Sequence, residues 1–446
     1  MSITFHLGPA GSGKTHRCLA EIRDLLRAAP DGPPLLLIAP RQSTYLLERQ
    51  LLGMGVKGFT RLEILSFDRL ARRVLEEFGQ PIRDLLSEEG RVMVLRALLS
   101  QHGEKFKAFR DAARTAGFAG QLSQVLRELQ RGGTTAERLR TLELPAGSPA
   151  LLAEKLHDLA LLLEAYRGWL EEHQLHDPDE LLARAATELA IARKTSKPAP
   201  RFAGLWLDGF AEMTPPEINL LAELLPNCKS ATLAFCLARE PRNETGSNPN
   251  SLWSVTHDTV QRLQARVEEL GLPFATDWLP PNDGSLPRFR SAPALQMLAA
   301  AWNSGGNFAA GQKVKEINLV ECADPEAEAL LAARLINDHV RHRNGRYRDI
   351  SVMVRRMTDY ADVLQRAFRR HGIPFFADHR EPMGHHPLAE LTRSALSMAA
   401  HGWLHENWIA ALKTGLVVDN AHLVDAVENA ALAHGVRGQE WLDIAA

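Results

Sequence analysis

Cysteine is scarce in this sequence. There are four in 446 residues, Cys18, Cys228, Cys236 and Cys322, and no two form a C-x-x-C pair. That spacing argues against a zinc finger and against a disulfide scaffold. Aromatic residues are also few, at 6%. Neither sign of charge dominates: 52 Lys+Arg stand against 54 Asp+Glu, for a formal net charge of -2. A histone-like coat for DNA is excluded, and any nucleic-acid surface has to be a local patch. Long apolar runs are missing too. The longest near the N-terminus, Leu35 to Ala39, is far below the ~20 residues that cross a bilayer. Met1 to Leu7 lacks a basic segment followed by an apolar core. The expectation is a soluble, cytoplasmic chain without membrane contact.

What is present is ordinary globular material, 45% hydrophobic and 24% charged. Disorder of the whole chain is excluded, and at about 150 residues per domain the length suggests about three domains. Residues 3–7 read as a strand that meets Gly8, and residues 16–29 as a helix with Leu19, Ile22, Leu25 and Leu26 on one face. Leu35 to Ala39 reads as a buried strand, and a second helix runs through Tyr45, Leu46, Leu47 and Leu51. This alternation predicts a parallel α/β core.

From residue 80 to 195 leucine and alanine dominate and strand signals vanish, which predicts a helical insertion. Its last helix begins at Asp177-Pro178, an N-cap followed by proline at the first helical position. Residues 203–208 return to a buried strand that ends in an acid. Thr214 to Glu217 has the form of a capping box, and Ser230 to Leu237 is another apolar strand. Residues 279–312, rich in Pro, Gly, Asn and Ser, read as a linker. Beyond it, strands are expected at 316–321 and 350–355 and helices at 326–340 and around 360–368, with Leu331, Leu335 and Ile336 inward. Ile373 to Phe376 reads as a further extended segment.

The strongest chemical signal is Gly8-Pro-Ala-Gly-Ser-Gly-Lys14-Thr15, which fits G-x-x-x-x-G-K-[ST] between a strand and a helix. Gly8, Gly11, Ser12 and Gly13 let backbone N–H groups curl around a phosphate at a helix N-terminus. Lys14 reaches the β- and γ-phosphates, and the Thr15 hydroxyl ligates Mg²⁺. ATP and Mg²⁺ are therefore the expected cofactors. The second carboxylate that such a site needs is assigned to Asp208, at the end of Leu205-Trp-Leu207. The position after it, where P-loop motors hold a catalytic glutamate, is Gly209, which cannot act as a base; binding is expected, and hydrolysis is left open.

Nine arginines against three aspartates between Arg341 and His371 form a basic cluster. Arg343, Arg346 and Arg348 are candidate phosphate contacts, with a solvated helix face as the alternative. Arg355 is a candidate for approaching the nucleotide from a strand end. Phe67 and Arg69 are candidates for stacking on a base and contacting DNA, with a core role the alternative for the phenylalanine. His385-His386 lacks companions at metal spacing and reads as a turn.

The order of these motifs resembles UvrD/Rep-type superfamily 1 helicases. More narrowly it resembles AddB (RexB), the B subunit of AddAB helicase–nucleases. The resemblance rests on the P-loop, Leu35 to Thr44, Ile64 to Ala71, Asp177 to Leu182, Leu205 to Glu217 and Asp349 to Phe375. It implies RecA-like domains at 1–79 with 196–278, a helical insertion at 80–195, and an incomplete second RecA-like unit with the start of another helical insertion at 313–446. It implies a heterodimer with an AddA-like helicase–nuclease subunit, acting on double-strand ends and single strands of DNA in recombinational repair. The family's nuclease domain and its four-cysteine iron–sulfur cluster have no counterpart here, so the chain reads as an N-terminal portion without either. An autonomous DNA translocase and an interaction scaffold with a vestigial nucleotide site are the alternative readings. A small-molecule phosphotransferase fits less well, because the helical insertion and the second unit are too large for it.

Overall fold

A computed structural model describes residues 2–80, 82, 84–115, 117–145, 147–237, 251–279, 287–289, 291–304, 315–377, 383–436 and 440. The chain divides into two compact units at Ile317/Asn318.

The first unit is built on a six-stranded sheet, every strand of which runs parallel to its neighbours. The strands are β1 (Ser2–Gly8), β2 (Leu35–Ile38), β3 (Leu62–Leu65), β4 (Gly204–Leu207), β5 (Ser230–Cys236) and β6 (Phe274–Trp278), in the order β3-β2-β4-β5-β1-β6. Parallel strands covered on both faces read as continuous apolar runs, and β2 and β4 are buried at every residue. Alternation then sorts side chains between two cores. Ile3, Phe5, Leu7, Leu36, Ile38, Leu205 and Leu207 point into one, and Leu35, Leu37 and Trp206 into the other.

Helix α1 (Lys14–Ala28) and α2 (Thr44–Gly53) cover the Trp206 face. In α2 only Leu47 and Leu51 are buried; Tyr45 and Leu46 are exposed. Helix α3 (Phe67–Glu77) lies on the other face. The helical segment holds α4 (Glu88–Gln101), α5 (Phe118–Arg131), α6 (Ala136–Thr141), α7 (Ala150–Glu172) and α8 (Leu181–Thr195). Its residues from Val94 to Leu170 form a core of their own. Helix α8 differs: Leu181, Ala185, Ala186 and Leu189 pack into the sheet's core, so the separate helical core ends before it. The chain crosses between the two cores on paired segments. Leu86 N donates to His176 O at 2.9 Å, and His176 N donates to Asp84 O at 3.0 Å.

Helices α9 (Pro215–Leu224) and α10 (Ser254–Glu269) complete the α3 side of the sheet. The linker expected at 279–312 contains α11 (Pro293–Ser304) and a 3-10 turn at Pro287–Phe289. Its remainder at 280–286, 290 and 305–314 lies outside the described residues.

The second unit holds α12 (Pro325–His342), α13 (Met357–Arg370), α14 (Pro387–His401), α15 (His405–Lys413) and α16 (Ala421–His434). Helices α12 and α13 pack through Ala329, Ala333 and Ile336 against Leu364 and Phe368. Leu335 is exposed, so the buried stripe differs from the one read in the sequence. The strands expected at 316–321 and 350–355 are not formed, and Ile373 to Phe376 has no ladder either. No described residue of this unit belongs to a sheet. Apolar sequence alone does not make a strand, because the backbone needs a hydrogen-bonded neighbour. Leu319 is fully exposed and Met353 is 90% exposed. The second unit is therefore helical over its described residues, without the two strands expected there.

No helix among the described residues is long and apolar enough to cross a membrane.

Candidate nucleotide site at the carboxyl edge of the sheet

In a parallel sheet the carboxyl ends of the strands share one edge, and loops from that edge build ligand sites. Residues far apart in sequence therefore meet here. The loop after β1 turns through Gly11 (φ +87°) and Gly13 (φ +90°), both in the left-handed region that glycine enters without strain. Gly13 caps α1, so the first free N–H groups of that helix face the loop.

Lys14 is buried, and its ammonium is folded into the loop. It donates to Gly8 O at 2.7 Å, Pro9 O at 2.8 Å and Ser12 Oγ at 3.2 Å. Burial lowers its pKa, and the nearby Cys236 and Asp208 oppose that shift. Thr15 Oγ1 donates to Asp208 Oδ2 at 2.7 Å, across 193 residues of sequence. Burial raises the Asp208 pKa, while the Thr15 hydroxyl and Lys14 pull it down. Asp208 is held from behind, because its backbone N donates to Ile38 O at 3.1 Å. The predicted P-loop and the predicted acid thus converge. Two oxygens, one at the start of α1 and one at the end of β4, lie 2.7 Å apart, and hard oxygen donors of this kind could hold a divalent cation.

Among the described residues, no further carboxylate is seen joining Thr15 and Asp208. Gly209 follows Asp208. Glu217 is committed to the capping box of α9, where its Oε2 accepts from Thr214 N at 2.7 Å and from Thr214 Oγ1 at 2.9 Å. Glu212 is exposed to solvent. Strand β5 ends in Cys236, in register with Gly8, with no glutamine in the strand. Burial raises the Cys236 thiol pKa, against the pull of Lys14 and Arg288.

Sequence reasoning missed Arg288. A Cβ placed on Gly11 would lie 2.1 Å from Arg288 Cδ, so this arginine rests on the P-loop at a position only glycine leaves open. It is exposed, and its guanidinium lies 5.2 Å from the ring centroid of Phe289. Composition hid it, since it sits in a Pro-rich stretch that reads as a linker.

The DNA candidates fare differently. Phe67 is 3% exposed and meets Phe210 edge to face, with ring centroids 5.2 Å apart. Its ring has no free face for a base, so the core alternative describes it. Phe210 is the more accessible ring of the pair. Arg69 is exposed at the start of α3, on the same carboxyl edge. In the second unit, Arg343 pairs with Asp338 at 2.9 Å and Arg346 with Asp349 at 2.7 Å, which neutralises part of the cluster's charge. Arg348 and Arg355 are exposed, and Arg355 ends a segment that is not a strand. His386 caps α14, its Nδ1 accepting from Leu388 N at 3.2 Å, as a turn residue does.

Comparison with known proteins places these features. The family described as "ADDB, N-terminal" matches residues 5–299. Proteins named as the B subunit of an ATP-dependent helicase/deoxyribonuclease align over almost all of this chain. The one from Desulforudis audaxviator is 38% identical, covering 99% of this chain and 37% of that protein. The one from Heliobacterium modesticaldum is 36% identical, covering 99% and 36%. The one from Bacillus subtilis is 30% identical, covering 99% and 38%. This chain therefore spans a little over a third of the length of the curated relatives it matches. With a family model matched over the whole sheet unit and relatives aligned across both units, the chain belongs to the AddB family.

Proposed function

We propose that this chain is the ATP-binding, DNA-binding part of the B subunit of an AddAB-type helicase–nuclease. It would work beside an AddA-like partner on double-strand DNA breaks, in the cytoplasm. The observation that carries this reading is the 2.7 Å hydrogen bond between Thr15 and Asp208. It joins the P-loop to an acid at the end of a separate strand, which is the arrangement of a RecA-like nucleotide site. Gly8, Gly11, Ser12 and Gly13 would wrap the phosphates, Lys14 would leave its loop carbonyls for them, and Thr15 with Asp208 would hold Mg²⁺. Arg288 adds positive charge from outside the P-loop. Bound Mg²⁺ supplies charge neutralisation at the phosphates.

Binding is separated from turnover by Gly209. Purified chain should bind ATP and show no appreciable hydrolysis, with or without single-stranded DNA. DNA-stimulated turnover would instead make it an autonomous translocase. Restoring the acid does not restore a motor. Gly209 has φ +89°, and a Cβ there would lie 3.0 Å from Pro40 Cδ. Gly209→Glu is expected to leave turnover at background and to destabilise the sheet unit by ~1–3 kcal/mol, seen in chemical denaturation. Hydrolysis in that variant would show that only the side chain was missing.

The DNA surface is assigned first to Arg69 and Arg72, exposed on α3, whose first residue Phe67 packs on Phe210. Each phosphate contact on a single strand contributes about 0.7 to the slope of log K against log salt. Replacing both with alanine should lower the slope by about 1.4. Arg348 is exposed and only near Asp349, whereas alanine at Arg343 or Arg346 also frees a directly paired aspartate and should change the slope less. An unchanged slope in the α3 variant would move the contact to the second unit.

A further inference from the structure

Asp208-Gly209 touches two neighbours at once. On one side the Asp208 carboxylate accepts the Thr15 hydroxyl. On the other, Gly209 approaches the ring of Pro40, with the position of a missing Cβ 3.0 Å from Pro40 Cδ. Asp208 N is also bonded to Ile38 O, at the end of the strand that leads into Pro40. Pro40 opens the turn into α2, and its carbonyl accepts from Ser43 N at 2.8 Å. Gly209 has no side chain of its own to absorb a displacement against the proline ring. Close-packed contacts pass a shift on instead of damping it. A left-handed φ of +89° is what brings the backbone this near.

What lies beyond Pro40 is an exposed surface. Tyr45 is 68% exposed on α2, and the Arg49 guanidinium sits 5.8 Å from its ring centroid. Leu46 is exposed beside it.

We propose that Gly209 and Pro40 form a mechanical contact that transmits nucleotide occupancy from the P-loop to α2, with Gly209 as a positioning residue. The inference rests on the nucleotide-binding reading above. Mg²⁺-nucleotide binding changes the charge that surrounds the Asp208 carboxylate. Any shift of that carboxylate carries Gly209 with it, and Gly209 carries Pro40. On this view, the absence of a side chain at 209 is what lets the backbone close on Pro40.

The test is amide hydrogen exchange in residues 40–53 of the full chain, with and without Mg²⁺-ATP, alongside a direct nucleotide titration. In the parent chain nucleotide should slow exchange there by roughly tenfold, within the usual range of coupling between sites. Pro40→Ala fits the observed φ of -55° without strain. It should bind nucleotide within about twofold of the parent, well under the tenfold of a lost contact, and lose the response in 40–53. Gly209→Ala should lose it too. A parent-like response in Pro40→Ala, or a parent chain that binds nucleotide without any response in 40–53, overturns the proposal. A titration showing no nucleotide binding overturns the underlying reading as well, and is recognised separately because it is read without exchange data.

Discussion

Lys14→Ala is expected to weaken ATP binding by about 100-fold or more, with the fold retained. Its ammonium is the only side-chain cation inside the loop among the described residues, and it already lies against three loop oxygens at 2.7, 2.8 and 3.2 Å. Removing one member of a desolvated, charge-assisted contact costs about 2–5 kcal/mol, and 1.4 kcal/mol is tenfold in affinity. The fold should survive because Gly8 O keeps its bond from Leu237 N at 2.9 Å, and the other two partners, Pro9 O and Ser12 Oγ, are only partly buried. Fluorescent-nucleotide titration with a parallel thermal melt checks both halves. Unchanged affinity in a folded variant would sink the nucleotide assignment, and with it the roles of Thr15 and Asp208.

The second large effect lies at the junction of the helical segment with the sheet. Asp177 and Arg91 have side chains 0% and 3% exposed, and Arg91 reaches both Asp177 and Asp179. Tyr166 donates to Asp177 at 2.9 Å and Gln130 at 3.0 Å. Asp179 N adds a bond at 2.9 Å. One carboxylate therefore gathers α4, α5 and α7 at the point where the chain turns into α8. Asp177→Ala would leave the Arg91 charge buried with only Asp179 to balance it, and three further donors short of an acceptor. Breaking a buried ion pair from one side costs about 3–5 kcal/mol. The helical segment should unfold at correspondingly lower denaturant, read by hydrogen exchange in α4 and α7. Replacing Asp177 and Arg91 together with apolar residues should cost less than Asp177→Ala alone. A loss under about 1 kcal/mol for Asp177→Ala would mean that water fills the site.

Lys14 and Asp177 are each legible in the sequence, whereas Arg91, Tyr166 and Gln130, which Asp177 gathers, are not. The strands at 35–38 and 204–207 are legible because a strand buried on both faces has to be apolar throughout, and those at 2–8 and 230–236 because apolar residues dominate a short run that ends in a turn. The P-loop is legible because its glycines, lysine and threonine are each demanded by phosphate chemistry at fixed spacing. Asp177, Thr214 and Glu217 announce themselves as caps, since capping is a local exchange between a side chain and the next few amides. Where the reading missed, non-local packing set the outcome. Leu335 has the spacing of a buried stripe, yet α13 covers Ala333 and Ile336 and leaves it exposed. Phe67 has the look of a base platform, and Phe210, distant in sequence, takes its ring into the core. The apolar segments at 316–321 and 350–355 have strand composition and no strand beside them.

Local sequence was thus enough to place the glycine-rich loop between a strand and a helix, the carboxylate at the end of a buried strand and the starts of several helices, because each follows from neighbours within a few residues. That Thr15 meets Asp208, that Arg288 lies on Gly11 and that Gly209 closes on Pro40 came from the folded arrangement alone. The reason is physical. A parallel sheet brings strand ends together by its order, and order is set by the packing of whole faces, which no short window of residues contains.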